Sequence, residues 1–379
     1  MINRFYTRIV FLAGCLLVCG VFVYGFVNTS RPVKRDVIDL TAYDWNTVAQ
    51  KRNIIPIAVI GSGPAGLNAA MYGARAGIKS VIFEGYEPLG LLMKTTDVSN
   101  YLGAPNTQGP KLMETSRKQA ADFGVKFVGD VIESVDFSRW PYELYTGEGE
   151  TVHALTVIIT TGAAPRYLGV PGEEDYKNKG VSACARCDAL CYRDKEVVVI
   201  GGGDSAIEEA LQLEPYAKKV TIIHRRDKFR AAPQVQQRIE SLDKVNTIWN
   251  AKVNRVIGDE SSVTAVELED MQTGKKSVFP TDGMFLAIGH VPATQMFKDY
   301  IALDEQGFIQ LEGRSQATNL PGVYAAGDVA DPSYRQAITA AGDGGKAGMD
   351  AIFFLQQIGF TTARAQEFVK SKKMFSGDE

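Results

Sequence analysis

Histidine and cysteine are both scarce in this 379-residue chain, which holds three histidines (His153, His224, His290) and five cysteines. Histidines so widely scattered supply no ready-made zinc knuckle, and five cysteines are too few for a disulfide-stapled scaffold. Two of the five, Cys15 and Cys19, fall in an apolar N-terminal segment, so the folded body keeps Cys184, Cys187 and Cys191. Positive charge is not in excess either. A net charge of −3 argues against a nucleic-acid binder, which displays a basic face. Short repeats and low-complexity stretches are missing, and the composition is that of a globular protein long enough for about two domains.

Charge disappears altogether between Ile9 and Val27, "IVFLAGCLLVCGVFVYGFV". As a helix this run spans roughly the 30 Å hydrocarbon layer, and a membrane anchor over residues 1–30 is the expectation. A cleavable signal peptide is the rival, but Phe26 to Ser30 offers no small-x-small cleavage site. "LAGC" at Leu12 to Cys15 looks like a lipoprotein processing box, yet the run before it is short and the residues after it are apolar. Arg4 and Arg8 precede the span while Arg31, Lys34 and Arg35 follow it, so flanking charge does not set an orientation. Residues 31–54 read as a tether.

What is abundant is glycine in two similar settings. "IPIAVIGSGPAGLNAAMYGARAG" is an apolar strand, a glycine turn and an Ala-rich helix, followed by the strand "SVIFEG". The same grammar recurs at "KEVVVIGGGDSAIEEALQLEP" with "KVTIIHRR" behind it, and a further apolar strand, "GVYAAGD", follows at Gly322 to Asp328. Two βαβ openings about 140 residues apart predict an α/β protein with two doubly wound dinucleotide domains. In the first, Gly61 allows a tight turn and Gly63 lets backbone approach a pyrophosphate. Gly66 lets helix and strand pack closely, and Glu84 ends the next strand as a ribose acceptor. In the second, Gly201, Gly203 and Ala206 repeat the device, but Arg225, Arg226 and Arg230 stand where an NAD site places its acid. Guanidinium forks suit a 2′-phosphate, hence NADP(H); a solvated basic turn is the plainer alternative.

"SACARCDALCYRD", Ser182 to Asp194, packs the three remaining cysteines together. Zinc wants a fourth ligand that is missing, and an iron–sulfur cluster fails for the same shortage. Cys184 and Cys187 can close a small disulfide whose thiolate is stabilised by neighbouring charge, with Arg186 between them and Asp188 placed to shuttle a proton; an inert thiol pair is the competing reading. Cys191, in apolar "ALCY", is expected in the core.

"GSGPAG", "TTGAAPRYLGVPG", "VSACARCDA", "GGGDSAIEEA", "HRRDKFRA", "AIGHVP" and "GVYAAGDVADPSYRQAITAAG" together resemble, in order and spacing, the low-molecular-weight thioredoxin reductases, from about Ile57 to Asp350. The resemblance implies an NADPH domain (165–289, with the redox pair) inserted into an FAD domain (55–164 and 290–359), with a tail over 360–379, in a homodimer. It implies FAD on the first glycine loop, with Thr161 and Gly162 among the cofactor positions. It places Asp328 on the ribityl or phosphate oxygens, and Arg335, Gln336 and Ala337 against the isoalloxazine. NADPH would lie on the second loop and the three arginines. Electrons would pass from NADPH through FAD to a Cys184–Cys187 disulfide and on to a thioredoxin-like protein, Cys187 facing the flavin, Cys184 attacking the partner and Asp188 serving as acid. The NADPH domain would rotate between two poses about hinges near Gly162 to Arg166 and Gly289 to Pro292. The larger disulfide reductases use a C-terminal histidine as acid, and no histidine follows His290.

The chain departs from the family's pattern at three places: Leu91 where a glutamine is usual, Ala189 to Cys191 where Gly-Phe-Phe is usual, and Asp343 and Lys346 where small residues are usual. Competing readings are a reductase of another dithiol partner, a flavin dithiol oxidase and a non-catalytic flavin sensor. Availability of NADPH places the catalytic body on the cytoplasmic side of the membrane.

Overall fold

The computed structural model describes residues 54–95, 98–105 and 107–360. The apolar span 9–27, all of the tether but Ile54 and all of the tail but Phe360 lie outside these residues, and the anchor expected of the first falls there. Among the described residues no helix is long and apolar enough to cross a membrane.

The apolar run ahead of the first glycine turn forms β1 (Ile54–Ile60), buried at every position. A parallel strand covered on both faces has no solvent side to alternate towards, which is why the run is apolar throughout. Helix α1 (Pro64–Arg75) follows, opened by a proline at its first position, where the missing N–H costs nothing. β2 (Ser80–Phe83), α2 (Gly109–Asp122) and β3 (Lys126–Val128) continue the parallel edge. β4 (Ile132–Asp136), β5 (Tyr142–Thr146) and β6 (Thr151–Ile159) form an antiparallel meander, and the sheet order is β3-β2-β1-β6-β5-β4.

The chain leaves this sheet through β7 (Ala163–Pro165) and builds another: β8 (Val181–Ser182), α3 (Ala185–Asp188), β9 (Glu196–Gly201), α4 (Asp204–Leu213), β10 (Lys219–Ile223), α5 (Pro233–Glu240) and β11 (Val245–Ile248). An antiparallel trio, β12 (Ala251–Gly258), β13 (Val263–Asp270) and β14 (Lys276–Pro280), packs across it, and β15 (Gly283–Ala287) returns parallel to β9. The parallel order is β11-β10-β9-β15-β8. β16 (His290–Pro292) then runs antiparallel to β7, so the outward and return crossings lie side by side, paired Val291 to Ala164. β17 (Val323–Ala325) rejoins the first sheet beside β6, Val323 opposite Val157, and α6 (Ala337–Gln357) packs on α1. The second sheet is thus enclosed in sequence by strands of the first, a two-domain α/β dinucleotide-binding architecture.

Candidate active site

At the first glycine turn Gly61 has φ +105°, and a Cβ there would lie 2.5 Å from the carbonyl oxygen of Thr160. A Cβ on Gly66 would lie 2.0 Å from the Gly61 oxygen, so helix and turn meet at backbone distance. Thr160, buried at the end of β6, donates its hydroxyl to the carbonyls of Ile60 and Gly61, 2.9 Å each, and Ser62 accepts the N–H of Leu89 at 2.7 Å. Gly63, the N-cap of α1, opens instead onto free space, with nothing within 4 Å of its added Cβ. Open space at a helix N-terminus suits a phosphate group. Glu84 ends β2 as expected, but Arg117 of α2 already grips its carboxylate through two hydrogen bonds of 3.2 and 3.1 Å. Arg117 therefore holds the acid in place by a bidentate fork.

Gly327, just before Asp328, passes close between α1 and α6: a Cβ on that glycine would meet Ala65 and Ala340 at 3.0 and 3.2 Å. Burial first, and Asp331 second, push the Asp328 carboxyl up to about 6, against the pull of Arg335. No described protein group donates a hydrogen bond to it, which suits an acid awaiting hydroxyl donors from a ligand. Arg335 sits at φ +49°, held there because Asp331 accepts the N–H groups of Ser333, Tyr334 and Arg335, 2.8 Å each. Gln336 caps α6 in a capping box with Thr339 and accepts from Asn100 at 3.2 Å, leaving Ala337 as the first helical residue. Thr161 and Gly162 stand at the crossing, where Thr161 donates to Ala293 at 2.8 Å and Ala293 N–H donates to Gly162 at 3.0 Å. Leu91 is exposed in a short 3-10 turn, Leu91–Lys94.

In the second unit Gly203 caps α4, and the guanidinium of Arg230 hangs 3.9 Å from where its Cβ would be. The Arg230 N–H donates to Gly202 at 2.7 Å, which ties the basic loop to the glycine turn. Arg225, Arg226 and Arg230 are exposed, and none pairs with a carboxylate among the described residues. Three free guanidinium groups beside an open glycine turn fit a phosphorylated ribose. Ala206 is fully buried beneath the turn. His224 packs under Gly202, and burial lowers its pKa, so it is a neutral prop of the turn.

Cys184 and Cys187 are joined as a disulfide, Cα atoms 5.3 Å apart, with Cys184 capping α3. Ser182 donates to Asp188 Oδ2 at 2.6 Å and accepts the Cys184 N–H at 3.0 Å, so one hydroxyl ties the acid to the sulfur-bearing backbone. Burial pushes the Asp188 carboxyl above the usual aspartate range, and Ser182 draws it part of the way back. Glu209 of α4 accepts the Ala185 N–H and is pushed up to about 7, by burial first. The charges of Arg335 and Arg186 act on it in the opposite direction. His290 is driven down to about 4 by burial, with Arg335 adding to the effect, and is neutral. Cys191, expected in the core, is free and exposed, because the 3-10 turn Ala189–Tyr192 spends its inward positions on Ala189 and Tyr192.

Thr160, Arg117, Ser182 and Glu209 were not singled out from the sequence. Thr160 and Ser182 lay within the quoted motifs and Glu209 within "SAIEEA", but only the fold shows which neighbours they meet.

Residues 55–344 match the family model described as pyridine nucleotide-disulphide oxidoreductase. The chain is 46% identical over 311 residues to a thioredoxin reductase of Coxiella burnetii, covering 80% of this chain and 97% of the relative. It is 44% identical over 304 residues to one of Rickettsia conorii, covering 79% and 98%. A solved thioredoxin reductase from Giardia duodenalis superposes with a TM-score of 0.77 at 40% identity, covering 80% of this chain and all of that one. The Lactococcus lactis thioredoxin reductase in its FR conformation gives a TM-score of 0.55 at 36% identity, covering 79% and 99%. Disulfide, acid, two glycine cradles and extended identity over nearly the whole of each relative agree, and the chain belongs to the low-molecular-weight thioredoxin reductases of the pyridine nucleotide-disulphide oxidoreductase family.

Proposed function

We propose that this oxidoreductase passes electrons from NADPH, through FAD, to the Cys184–Cys187 disulfide and then to a thioredoxin-like protein. FAD and NADPH are the cofactors of the family. The observation that carries the reading is a closed disulfide tied through Ser182 to a carboxyl of raised pKa, in a chain that holds two glycine-turn cradles. When bound, FAD supplies two-electron relay between a hydride donor and a disulfide. The chain's own residues do the rest. Gly61, Gly63 and Gly66 would hold the pyrophosphate, Glu84 in the grip of Arg117 would take the ribose, and Asp328 would accept from ribityl hydroxyls. Arg335, Gln336 and Ala337 would line the ring, with Thr161 and Gly162 beside them. Gly201, Gly203 and Ala206, with Arg225, Arg226 and Arg230, would bind NADPH and select its 2′-phosphate. Asp188, whose pKa burial raises, gives a proton to the thiolate that leaves when the disulfide opens, and Ser182 holds it in line. Cys187 would face the flavin and Cys184 would attack the partner.

A disulfide and a nicotinamide would both need the same face of the flavin, so each would need its own pose. Domains 55–164 with 290–359, and 165–289, turn relative to each other at the paired crossings β7 and β16. The lower TM-score against the FR structure, at nearly the same identity as the Giardia enzyme, supports this, since global superposition falls when rigid domains are differently placed. The enzyme is a homodimer, held by the apolar 9–27 segment at a membrane, with its body on the cytoplasmic side where NADPH is found. NADPH added to purified protein should bleach the flavin, and a thioredoxin should restore the colour. Cys184→Ser should retain the bleaching and lose transfer; a variant that still turned thioredoxin over would refute the assignment of the attacking sulfur. Protease accessibility in sealed vesicles tests the orientation, and an exterior body would overturn it.

A further inference from the structure

Glu209 is a half-buried acid for which the reaction above has no use. It stands on α4, the helix opened by the nucleotide loop, and its Oε2 accepts the N–H of Ala185, the residue after Cys184. The charged groups facing it are Arg335 from the loop ahead of α6, and Arg186 and Asp188 from α3. One carboxylate therefore touches the backbone of the redox helix while standing on the helix that carries the nucleotide.

Two electrons entering the Cys184–Cys187 bond break it and leave two thiolates. Each stays charged or takes a proton from Asp188 or solvent, so negative charge develops where the oxidised pair carried none. A carboxylate fixed beside that pair opposes this charge, and the opposition is relieved when the carboxylate is protonated. We propose that Glu209 is a positioning residue that takes up a proton as the disulfide is reduced, and so sets how the potential of the pair depends on pH. The proposal rests on the disulfide-reductase reading. Burial and the neighbouring Asp188 bring its titration to about 7, within the range where such coupling matters.

The test measures the dithiol-to-disulfide ratio of the full-length flavoprotein in thiol redox buffers from pH 5.5 to 8.5, by alkylation and peptide-level mass spectrometry, so that only Cys184 and Cys187 enter the count and Cys15, Cys19 and Cys191 do not. Glu209→Gln keeps an acceptor for Ala185 but cannot ionise. Its potential should coincide with that of the parent below pH 6 and become less negative above pH 8. There it should favour the dithiol about tenfold, or about 30 mV for this two-electron couple. Glu209→Ala, which loses the acceptor as well, should show the same divergence on top of a constant offset, so either variant decides. Curves that run parallel at every pH, as a purely structural role would give, or that coincide throughout, overturn the proposal. Absence of any two-electron thiol couple in the parent protein would instead overturn the reductase reading, and this proposal with it.

Discussion

Asp328→Asn should stabilise the flavin-free protein while weakening its hold on FAD. The Asp328 pKa of about 6 lies about two pH units above that of an unperturbed aspartate, because ionising the carboxyl inside the cradle is costly when no ligand hydroxyls meet it. For an acid whose folded pKa is raised, the folded chain binds a proton that the unfolded chain has lost. The apoprotein thus loses stability as pH rises from about 4 to about 6 and stays at the lower level above. Two pH units correspond to about 3 kcal/mol, an upper limit for a partly exposed site. Urea titration of apoprotein at several pH values reads this directly. Asparagine should raise the midpoint at pH 8 and leave it nearly unchanged at pH 4. The same substitution removes a charged acceptor from ligand hydroxyls and should weaken FAD about tenfold or more by fluorescence titration. A gain equal at both pH values, or a loss at pH 8, would show that Asp328 is not a strained acid kept for its ligand.

Arg117→Met should leave the nearly buried Glu84 without its fork, costing about 1–3 kcal/mol in thermal or urea unfolding and weakening FAD, whereas a variant that bound FAD normally would show that the pair plays no part in the cradle. Replacing both Arg225 and Arg230 by alanine should raise the KM for NADPH roughly ten- to a hundredfold and leave that for NADH little changed; equal losses for both would refute 2′-phosphate recognition. Ser182→Ala removes the hydrogen bond that lowers the Asp188 pKa, so Asp188 should hold its proton to higher pH. The alkaline limb of disulfide reduction should move upward, with about 1–2 kcal/mol of stability lost through the unpaired Cys184 N–H; a downward move would refute the proton-donor role.

The parallel strands and both glycine turns were legible as residue types because their causes are local: a strand covered on both faces is apolar throughout, and a turn that must pass Thr160 at 2.5 Å from a would-be Cβ admits glycine. The pairing of Cys184 with Cys187 and the nearness of Asp188 are local too, since all lie on one short turn. Cys191 misled, because apolar neighbours in sequence do not say which way a 3-10 turn faces. Arg117 meets Glu84 across 33 residues, and Glu209 meets Ala185 across 24. Nothing in the intervening sequence announces such partners, because they are set by how helices seat on sheets. The sequence by itself thus determined which chemical groups this protein has and the local turns that present them. Tertiary structure decided which acid is held by an arginine, which is stranded without a donor and which leans on the redox helix, since burial and charge act through space rather than along the chain.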